Sequence, residues 1–267
     1  MNSPIKYYGG KSYMTDIIIS NFPSNYKIYV EGFGGGASVL FAKEMDKIEI
    51  YNDLGRNVHS LFKVLSDKEM FNQMKEKLDI TYYSADIRKE FIEDLKRNDL
   101  SLVERAYKYF YVNRSSFNGV GGFSTVLLAR RNMSKSVSDY LSAIDGLLEI
   151  HDRLSRVIVE NRNIFELIEK YDGKDTFFYL DPPYVADTRS SSTKYECEMT
   201  DKDHELFIDS LLKAKGKFLV SGYEHPIYGK LVENGWRLFK YNSPNSNSDR
   251  IECLWRNYDL ENDVFGL

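Results

Sequence analysis

The sequence has few of the residues that bind metals or form disulfides. Its 267 residues include two cysteines, Cys197 and Cys253, and four histidines. Neither set has the spacing of a metal site, and two cysteines do not supply the disulfide framework of a small secreted domain. We therefore expect reduced thiols, a cytoplasmic location and no bound metal.

Long apolar runs are also missing. No stretch approaches the ~18 apolar residues of a membrane-spanning helix, and residues 1–14 lack the apolar core of a secretory signal peptide. The chain is nevertheless 42% hydrophobic and 14% aromatic, which is ample for a packed core. These features exclude a membrane protein and predict a soluble globular one.

Acidic residues are absent from one internal segment. The chain has a formal net charge of −4, yet residues 105–138 carry +6, which leaves −10 for the rest. The basic residues of this segment are Arg105, Lys108, Arg114, Arg130, Arg131 and Lys135. They could form a solvated face, or a local surface that binds the phosphates of a nucleic acid. Charge alone leaves both interpretations open.

Hydrophobic patterning predicts alternating strands and helices. Residues 26–31 and 48–52 have the composition of strands, and helical spacing dominates from residue 58 to residue 154. Further strands are predicted at residues 157–160, 176–180, 218–221 and 251–255, with a helix at residues 201–214. This order predicts an α/β fold with a doubly wound, mostly parallel sheet.

The helical stretch interrupts the α/β pattern. We predict that residues 1–55 and 156–267 form one α/β domain, and that residues 56–155 form a mainly helical insert. The basic segment lies within that insert.

Glycines cluster after the first predicted strand, in the sequence EGFGGGAS at residues 31–38. Glycines let the backbone approach a ligand closely, and the helix that follows offers free N–H groups. The dinucleotide pattern is not met, because Val39 stands where its last glycine would fall. Asp53 ends the next strand, at an offset from which a carboxylate can bind ribose hydroxyls. Together, the glycine cluster and Asp53 favour an adenosine-type ligand. The alternatives are a plain tight turn for the glycines and a helix cap or turn residue for Asp53.

The strongest motif is Asp181-Pro182-Pro183-Tyr184, which directly follows a strand of bulky apolar residues. Two prolines remove two backbone donors and fix two φ angles. The carboxylate of Asp181 and the carbonyl of Pro182 are therefore predicted to project rigidly at the edge of the sheet, beside the ring of Tyr184.

Together these motifs resemble those of the amino-group DNA methyltransferases that use S-adenosylmethionine (SAM). The opening PIKYYGGK at residues 4–11 and the segment NRSSFNG at residues 113–119 are similar to segments of the Dam-like DNA adenine-N6 branch. The strand FLVSGY at residues 218–223 also resembles a strand of that family. The motifs follow the family's order across nearly the whole chain, so the resemblance implies a Rossmann-like SAM-dependent methyltransferase.

The resemblance implies a set of cofactor-binding residues. Tyr7 and Lys11 would help to hold SAM, with Lys11 near its methionine carboxylate, and Asp53 would bind the ribose. Asn163 stands where relatives often have an aspartate beside the adenine, and its amide oxygen can accept from the adenine amino group. The remaining members of the set are Phe33, Gly34, Gly35, Gly36, Ala37, Ser38, Ile164 and Asp181.

The catalytic group implied by the resemblance is Asp181, Pro182, Pro183 and Tyr184. Adenine N6 is a poor nucleophile because its lone pair is delocalised into the ring. If Asp181 and the Pro182 carbonyl each accept one N6 hydrogen, the nitrogen becomes more pyramidal and its lone pair more available. Tyr184 would stack on a base flipped out of the duplex. Residues 190–194 are predicted to form a mobile loop over the site.

Recognition of double-stranded DNA is expected in the insert. Arginine pairs with guanine edges and asparagine with adenine. The predicted DNA-binding residues are Arg114, Asn118, Arg130, Arg131 and Lys135. For each of them a phosphate contact or an ordinary surface position is the alternative. No membrane and no obligate protein partner is predicted. The competing functions are methylation of cytosine N4 or of RNA, and a SAM-binding or DNA-binding protein without turnover.

Overall fold

A mixed sheet of seven strands organises the chain. The computed structural model describes residues 1–7, 9–185, 197–242 and 251–260. Its strands are β1 (Ile28–Glu31), β2 (Ile48–Asn52), β3 (Ala129–Arg130), β4 (Met133–Ser134), β5 (Ile158–Glu160), β6 (Thr176–Leu180), β7 (Lys217–Tyr223), β8 (Arg237–Asn242) and β9 (Ile251–Arg256). The large sheet has the order β5-β2-β1-β6-β7-β9-β8, and β3 and β4 form a separate hairpin.

The strand pairing confirms the predicted fold class. β1 pairs in parallel with β2 and with β6, and β6 pairs in parallel with β7. β9 is antiparallel to β7 and to β8. All five residues of β6 are buried, as expected for a central strand that helices cover on both faces.

The helices are α1 (Thr15–Ser20), α2 (Ser38–Ala42), α3 (Arg56–Ser66), α4 (Lys68–Asp79), α5 (Ala85–Leu95), α6 (Leu102–Arg114), α7 (Lys135–Asp145), α8 (Leu147–Leu154), α9 (Ile164–Tyr171), α10 (Asp201–Lys213) and α11 (Gly229–Glu233). Several begin at side-chain caps. Ser101 caps α6, and Thr200 with Asp203 forms a capping box at α10. In the part of the chain that the structure describes, no helix is long and apolar enough to cross a membrane.

The described chain divides into two compact units. The first comprises Met1–Gly10, Gly35–Phe41 and Gly55–Val159, and the second comprises Lys11–Gly34, Ala42–Leu54 and Glu160–Leu267. The first contains α3 to α8, with an aromatic core in which Tyr111 packs edge-on against Phe91 and Tyr140. The second contains the central strands, with Phe178 stacked on Phe218 at 4.7 Å. A division into a catalytic domain and a recognition insert stays a prediction.

Candidate active site

The carboxylate of Asp181 lies directly after β6 and is held by two side chains. Lys11 Nζ lies 2.8 Å from Oδ1 and 3.0 Å from Oδ2, and Ser221 Oγ donates to Oδ1 at 2.7 Å. Lys11 is only 4% exposed. The sequence predicts both Lys11 and Asp181 as functional residues but does not predict their ion pair. The methionine carboxylate predicted for Lys11 stays a prediction.

Ser221 reaches Asp181 because β7 is the parallel neighbour of β6. The hydroxyls of Tyr179 and Ser221 lie 3.1 Å apart, and since Ser221 donates to Asp181, Tyr179 is the donor to Ser221. Burial, followed by the charge of Asp181, raises the pKa of Tyr179 far above its usual range, so this hydroxyl keeps its proton. A buried chain of donors therefore ends at the carboxylate.

The ring of Tyr184 is fixed from several directions. Lys11 Nζ lies 4.6 Å from its centroid, and the ring of Tyr223 meets it edge-on at 4.4 Å. Its hydroxyl donates to Glu252 at 3.0 Å, and Tyr13 donates to the other oxygen of Glu252 at 2.6 Å. Glu252 is absent from the sequence prediction, although an acidic residue next to the apolar run CLW of β9 is a signal that could have found it.

The glycine turn after β1 is bonded to the end of β2. Gly34 N donates to Asn52 O at 2.8 Å, and Asn52 Nδ2 donates to Gly32 O at 2.8 Å. A Cβ on Gly34 would lie 2.1 Å from the ring of Tyr51, so this position admits only glycine. Asp53, in the predicted ribose position, is buried directly after β2. The turn and Asp53 thus lie at the carboxyl ends of adjacent parallel strands, as predicted for a ligand site.

Asn163 begins helix α9, where its side chain accepts from Phe165 N at 3.0 Å. The sequence prediction gave this amide oxygen to an adenine and did not predict α9. Ile164 is buried in the hydrophobic core, and the ring of Phe33 packs edge-on against Phe207 at 5.8 Å. Cofactor contacts by these three residues stay predictions.

In the first unit, the ring of Tyr7 covers the second half of the glycine motif. A Cβ on Gly35 would lie 2.6 Å from that ring, and one on Gly36 would lie 2.9 Å from the Cβ of Tyr7. Gly35 and Ala37 have φ of 49° and 54°, and side-chain-bearing residues such as Ala37 rarely adopt such values. Ser38 begins α2. These residues were predicted to hold the cofactor, and that role stays a prediction.

The segment NRSSFNG binds the opening segment of the chain within the first unit. Asn113 exchanges two hydrogen bonds of 2.9 Å with the backbone of Lys6. Arg114 Nε donates to Pro4 O at 2.7 Å and its Nη2 to Ser3 O at 2.9 Å. Burial lowers the pKa of Arg114 to about 10. The predicted DNA contact by Arg114 stays a prediction, and Asn118 is exposed, with a φ of 50°.

The remaining predicted DNA-binding residues lie on or beside the β3–β4 hairpin. Arg131 and Asn132 form its turn, both with positive φ, as in a type I′ turn. Arg130 and Lys135 both pair with Asp139, and Arg131 Nη1 donates to Ser142 at 3.0 Å. All three basic residues are exposed at least in part.

The rest of the basic segment has structural partners. Arg105 is buried and donates to Asn57 and to the Leu95 carbonyl, and Lys108 pairs with Asp94 at 2.8 Å. The segment is therefore not one continuous basic surface, because only its C-terminal part presents exposed cations. The predicted loop at residues 190–194 lies outside the described residues. Within the described ranges, no group of histidine, cysteine and carboxylate side chains could hold a metal ion.

Comparison with known proteins identifies the family. The family model of the D12 class N6 adenine-specific DNA methyltransferases matches residues 7–247. The chain belongs to this family. The match confirms the family resemblance, the methyltransferase fold and the predicted enzyme class.

Three similar proteins are named as methyltransferases or methylases. The chain is 27% identical over 258 residues to the type II methyltransferase M.MjaIII of Methanocaldococcus jannaschii, and the alignment covers 86% of this chain and 87% of the relative. It is 26% identical over 203 residues to the modification methylase StsI of Streptococcus sanguinis, covering 71% of this chain and 30% of that longer protein. It is 22% identical over 194 residues to the type II methyltransferase M.CviBI of Paramecium bursaria Chlorella virus NC1A, covering 69% of both. Membership of the D12 family, rather than the names of these relatives, indicates methylation of adenine N6 in DNA and the need for a methyl donor.

Proposed function

We propose that this D12 methyltransferase takes its methyl group from SAM and transfers it to an adenine flipped out of double-stranded DNA. The observation that carries the proposal is the arrangement after β6. There the Asp181 carboxylate, with Lys11 and Ser221 bonded to it, is followed by two prolines and by the anchored ring of Tyr184. An acceptor pair beside an aromatic face suits an exocyclic amine on a planar base.

The residues of the second unit fit SAM by their chemistry. SAM carries a carboxylate and a ribose with two hydroxyls, and the unit offers the buried ammonium of Lys11 and the carboxylate of Asp53. The Gly32–Gly34 turn is bonded to Asn52 at the end of β2, and Phe33 is the one residue of the turn that carries a side chain. When bound, SAM supplies an electrophilic methyl group.

Asp181 retains capacity for a substrate bond while it pairs with Lys11. An ionised carboxylate has about four lone-pair sites. Among the residues that the structure describes, Lys11 and Ser221 both bond to Oδ1, and Lys11 alone bonds to Oδ2. Oδ2 can therefore accept one N6 hydrogen, and the Pro182 carbonyl can accept the other. This pair of bonds makes the N6 lone pair available, and the Asp181 carboxylate can accept the proton that N6 releases once the methyl group is attached.

The hairpin of the first unit supports the proposed DNA contact. Its Arg130 and Lys135 side chains are 50% and 43% exposed, and both belong to the predicted set. Leu127 and Leu128, just before the hairpin, are 91% and 69% exposed. Such a surface suits phosphate contacts with apolar contacts to bases. We propose that Arg130, Arg131 and Lys135 bind the DNA backbone or base edges.

The substrate class can be tested by offering the same methyl donor together with different nucleic acids. The purified protein is incubated with methyl-labelled SAM and with duplex DNA, single-stranded DNA or RNA, and the product nucleosides are separated. We expect label in N6-methyladenine from duplex DNA. Label in N4-methylcytosine, or label from RNA alone, would contradict the proposal. Binding of SAM without any transfer would indicate a binding protein instead.

A further inference from the structure

A buried carboxylate lies behind the proposed base-stacking ring. Glu252, on β9, is 2% exposed, and the four residues that follow it in the strand are buried too. Carboxylates are rarely buried to this extent unless their oxygens are bonded. Here the Tyr184 hydroxyl donates to Oε2 at 3.0 Å, and the Tyr13 hydroxyl donates to Oε1 at 2.6 Å. Both oxygens act as acceptors, as in an ionised carboxylate.

The two tyrosines are suited to remain donors. Burial raises the pKa of Tyr13 far above its usual range, and the bond to Glu252 raises it further. Burial also raises the pKa of Tyr184, with the charges of Asp181 and Glu252 adding to the effect. Both hydroxyls therefore keep their protons in the folded protein at neutral pH.

The contact at the hydroxyl completes the restraint on the Tyr184 ring. A tyrosine side chain turns about two torsions, so a contact at one edge leaves the ring plane free to tilt. Tyr223 meets the ring edge-on at 4.4 Å, and Glu252 holds its far end. Glu252 and Tyr223 face each other in register on β9 and β7, so both restraints come from the same rigid pair of strands.

We propose that Glu252 is a positioning residue that holds the Tyr184 ring in the orientation in which it stacks on the target base. This inference rests on the proposed function of Tyr184. A ring held before the base arrives costs less ordering free energy at binding, because its orientation is already selected. Glu252 touches neither base nor methyl donor in this account and acts through Tyr184 alone.

The test is a double-mutant cycle on methyl transfer to duplex DNA. Glu252→Leu removes the acceptor and Tyr184→Phe removes the donor while keeping the ring. Each is expected to lower kcat by about tenfold, the order expected for a lost hydrogen bond to a charged group. Because both remove the same bond, the double variant should lose about tenfold rather than the product of the two losses. Glu252→Gln keeps one acceptor oxygen and should recover part of the activity.

Tyr13→Phe is the matched control. It removes the other hydroxyl from the same carboxylate but leaves the Tyr184 bond, so it should lower kcat less than Tyr184→Phe does. The affinity for SAM, measured by calorimetry, should stay within about twofold of the wild-type value in all variants. With 2-aminopurine at the target position, Glu252→Leu and Tyr184→Phe should change the emission of the flipped base in the same direction.

The outcomes separate the inference from the proposed function. A wild-type protein that leaves duplex DNA unmethylated overturns the proposed function, and the inference with it. An active wild type with unchanged kcat in Glu252→Leu, or with losses that multiply in the double variant, overturns the inference alone. If Glu252→Leu does not fold, the inference is tested by comparing kcat in Tyr184→Phe and Tyr13→Phe. Equal losses of kcat in those two variants would overturn it.

Discussion

At the scale of single residues, Asp181 depends on side chains that are distant in the sequence. Lys11 stands 170 positions before it, and Ser221 comes from the neighbouring strand 40 positions after it. The motifs at residues 4–11 and 181–184 predict roles for Lys11 and Asp181, whereas the motif at residues 218–223 indicates a strand of the family and assigns no role to Ser221. They do not indicate which of them are bonded, because pairing across such distances depends on strand order. Glu252 belongs to no motif, so only the folded sheet brings it to Tyr184.

Ser221→Ala tests the support of the carboxylate. The substitution removes the 2.7 Å bond to Asp181 Oδ1 and leaves the Tyr179 hydroxyl without that acceptor. We expect kcat for methyl transfer to fall by about tenfold, as for the loss of one hydrogen bond to a charged group. Ser210→Ala on α10 is the control, because Ser210 only donates to the Phe207 carbonyl of its own helix. Equal activity in the two variants would contradict the role of Ser221.

At the scale of elements, burial decides which predictions hold. The predictions for β2 and β6 have the observed bounds, because both strands are almost wholly buried and end at clear turn residues. β8 was missed because it is only half-buried, so its hydrophobic pattern is weak. The helical spacing of residues 58–154 does not indicate where each helix ends, and the structure shows that α7 and α8 meet at Gly146. α9 was missed because Asn163 was interpreted as a ligand residue rather than as a helix cap.

Gly119→Ala tests the joint between the opening segment and the segment NRSSFNG. Gly119 has a φ of 82°, and a Cβ there would lie 2.2 Å from the carbonyl oxygen of Lys6. We expect the substitution to lower the free energy of unfolding by about 1–3 kcal/mol, from backbone strain and the displaced carbonyl. A Cβ on Gly122 would meet nothing within 4 Å, so Gly122→Ala is the matched control. Urea unfolding measures the stability of the two variants. Equal midpoints would show that the close contact between Gly119 and Lys6 does not matter for stability.

The β3–β4 hairpin provides a test of DNA binding. Arg130→Ala/Arg131→Ala removes two exposed charges, so affinity for duplex DNA should fall. The slope of log K against log salt should become shallower by about 1 for each phosphate that the variant no longer neutralises. Arg97→Ala/Arg237→Ala removes two exposed arginines that pair with Asp99 and Asp259, so it controls for net charge. An unchanged affinity and slope in the double variant would show that the hairpin does not bind DNA.

At the scale of the whole molecule, the number of basic residues in a segment is a poor predictor of a DNA-binding surface. Three of the six basic residues of segment 105–138 are buried or half-buried against neighbouring helices or the opening segment: Arg105, Lys108 and Arg114. A charge count cannot separate these from the exposed cations, because burial and pairing depend on the tertiary fold. The order of the motifs along the chain, in contrast, was sufficient for the fold class and the family.

Buried tyrosines predict a loss of stability at alkaline pH. Burial raises the pKa of Tyr13, Tyr184 and Tyr228 far above 10, and that of Tyr111 to about 12. Above pH ~10 the unfolded chain releases phenol protons that the folded protein keeps, so stability falls as pH rises. Each such tyrosine should cost about 1.4 kcal/mol per pH unit in that range. Urea midpoints at pH 8 and pH 11 measure this, and ionisation of all 20 tyrosines near pH 10 without unfolding would contradict it.

Adenine methylation by this protein is expected to depend on the Asp181 carboxylate, and one sequencing experiment tests this most directly. Unmodified genomic DNA is incubated with SAM and either the wild-type protein or Asp181→Ala, and modified bases are then located by single-molecule sequencing. We predict N6-methyladenine at one recurring sequence with the wild type. For the variant we predict a loss of at least about a hundredfold in rate, the order seen when a stabilising polar group is removed from an active site. The variant should retain much of its SAM binding, with some loss because Asp181 pairs with Lys11. Methylation by Asp181→Ala at the wild-type rate would contradict the account.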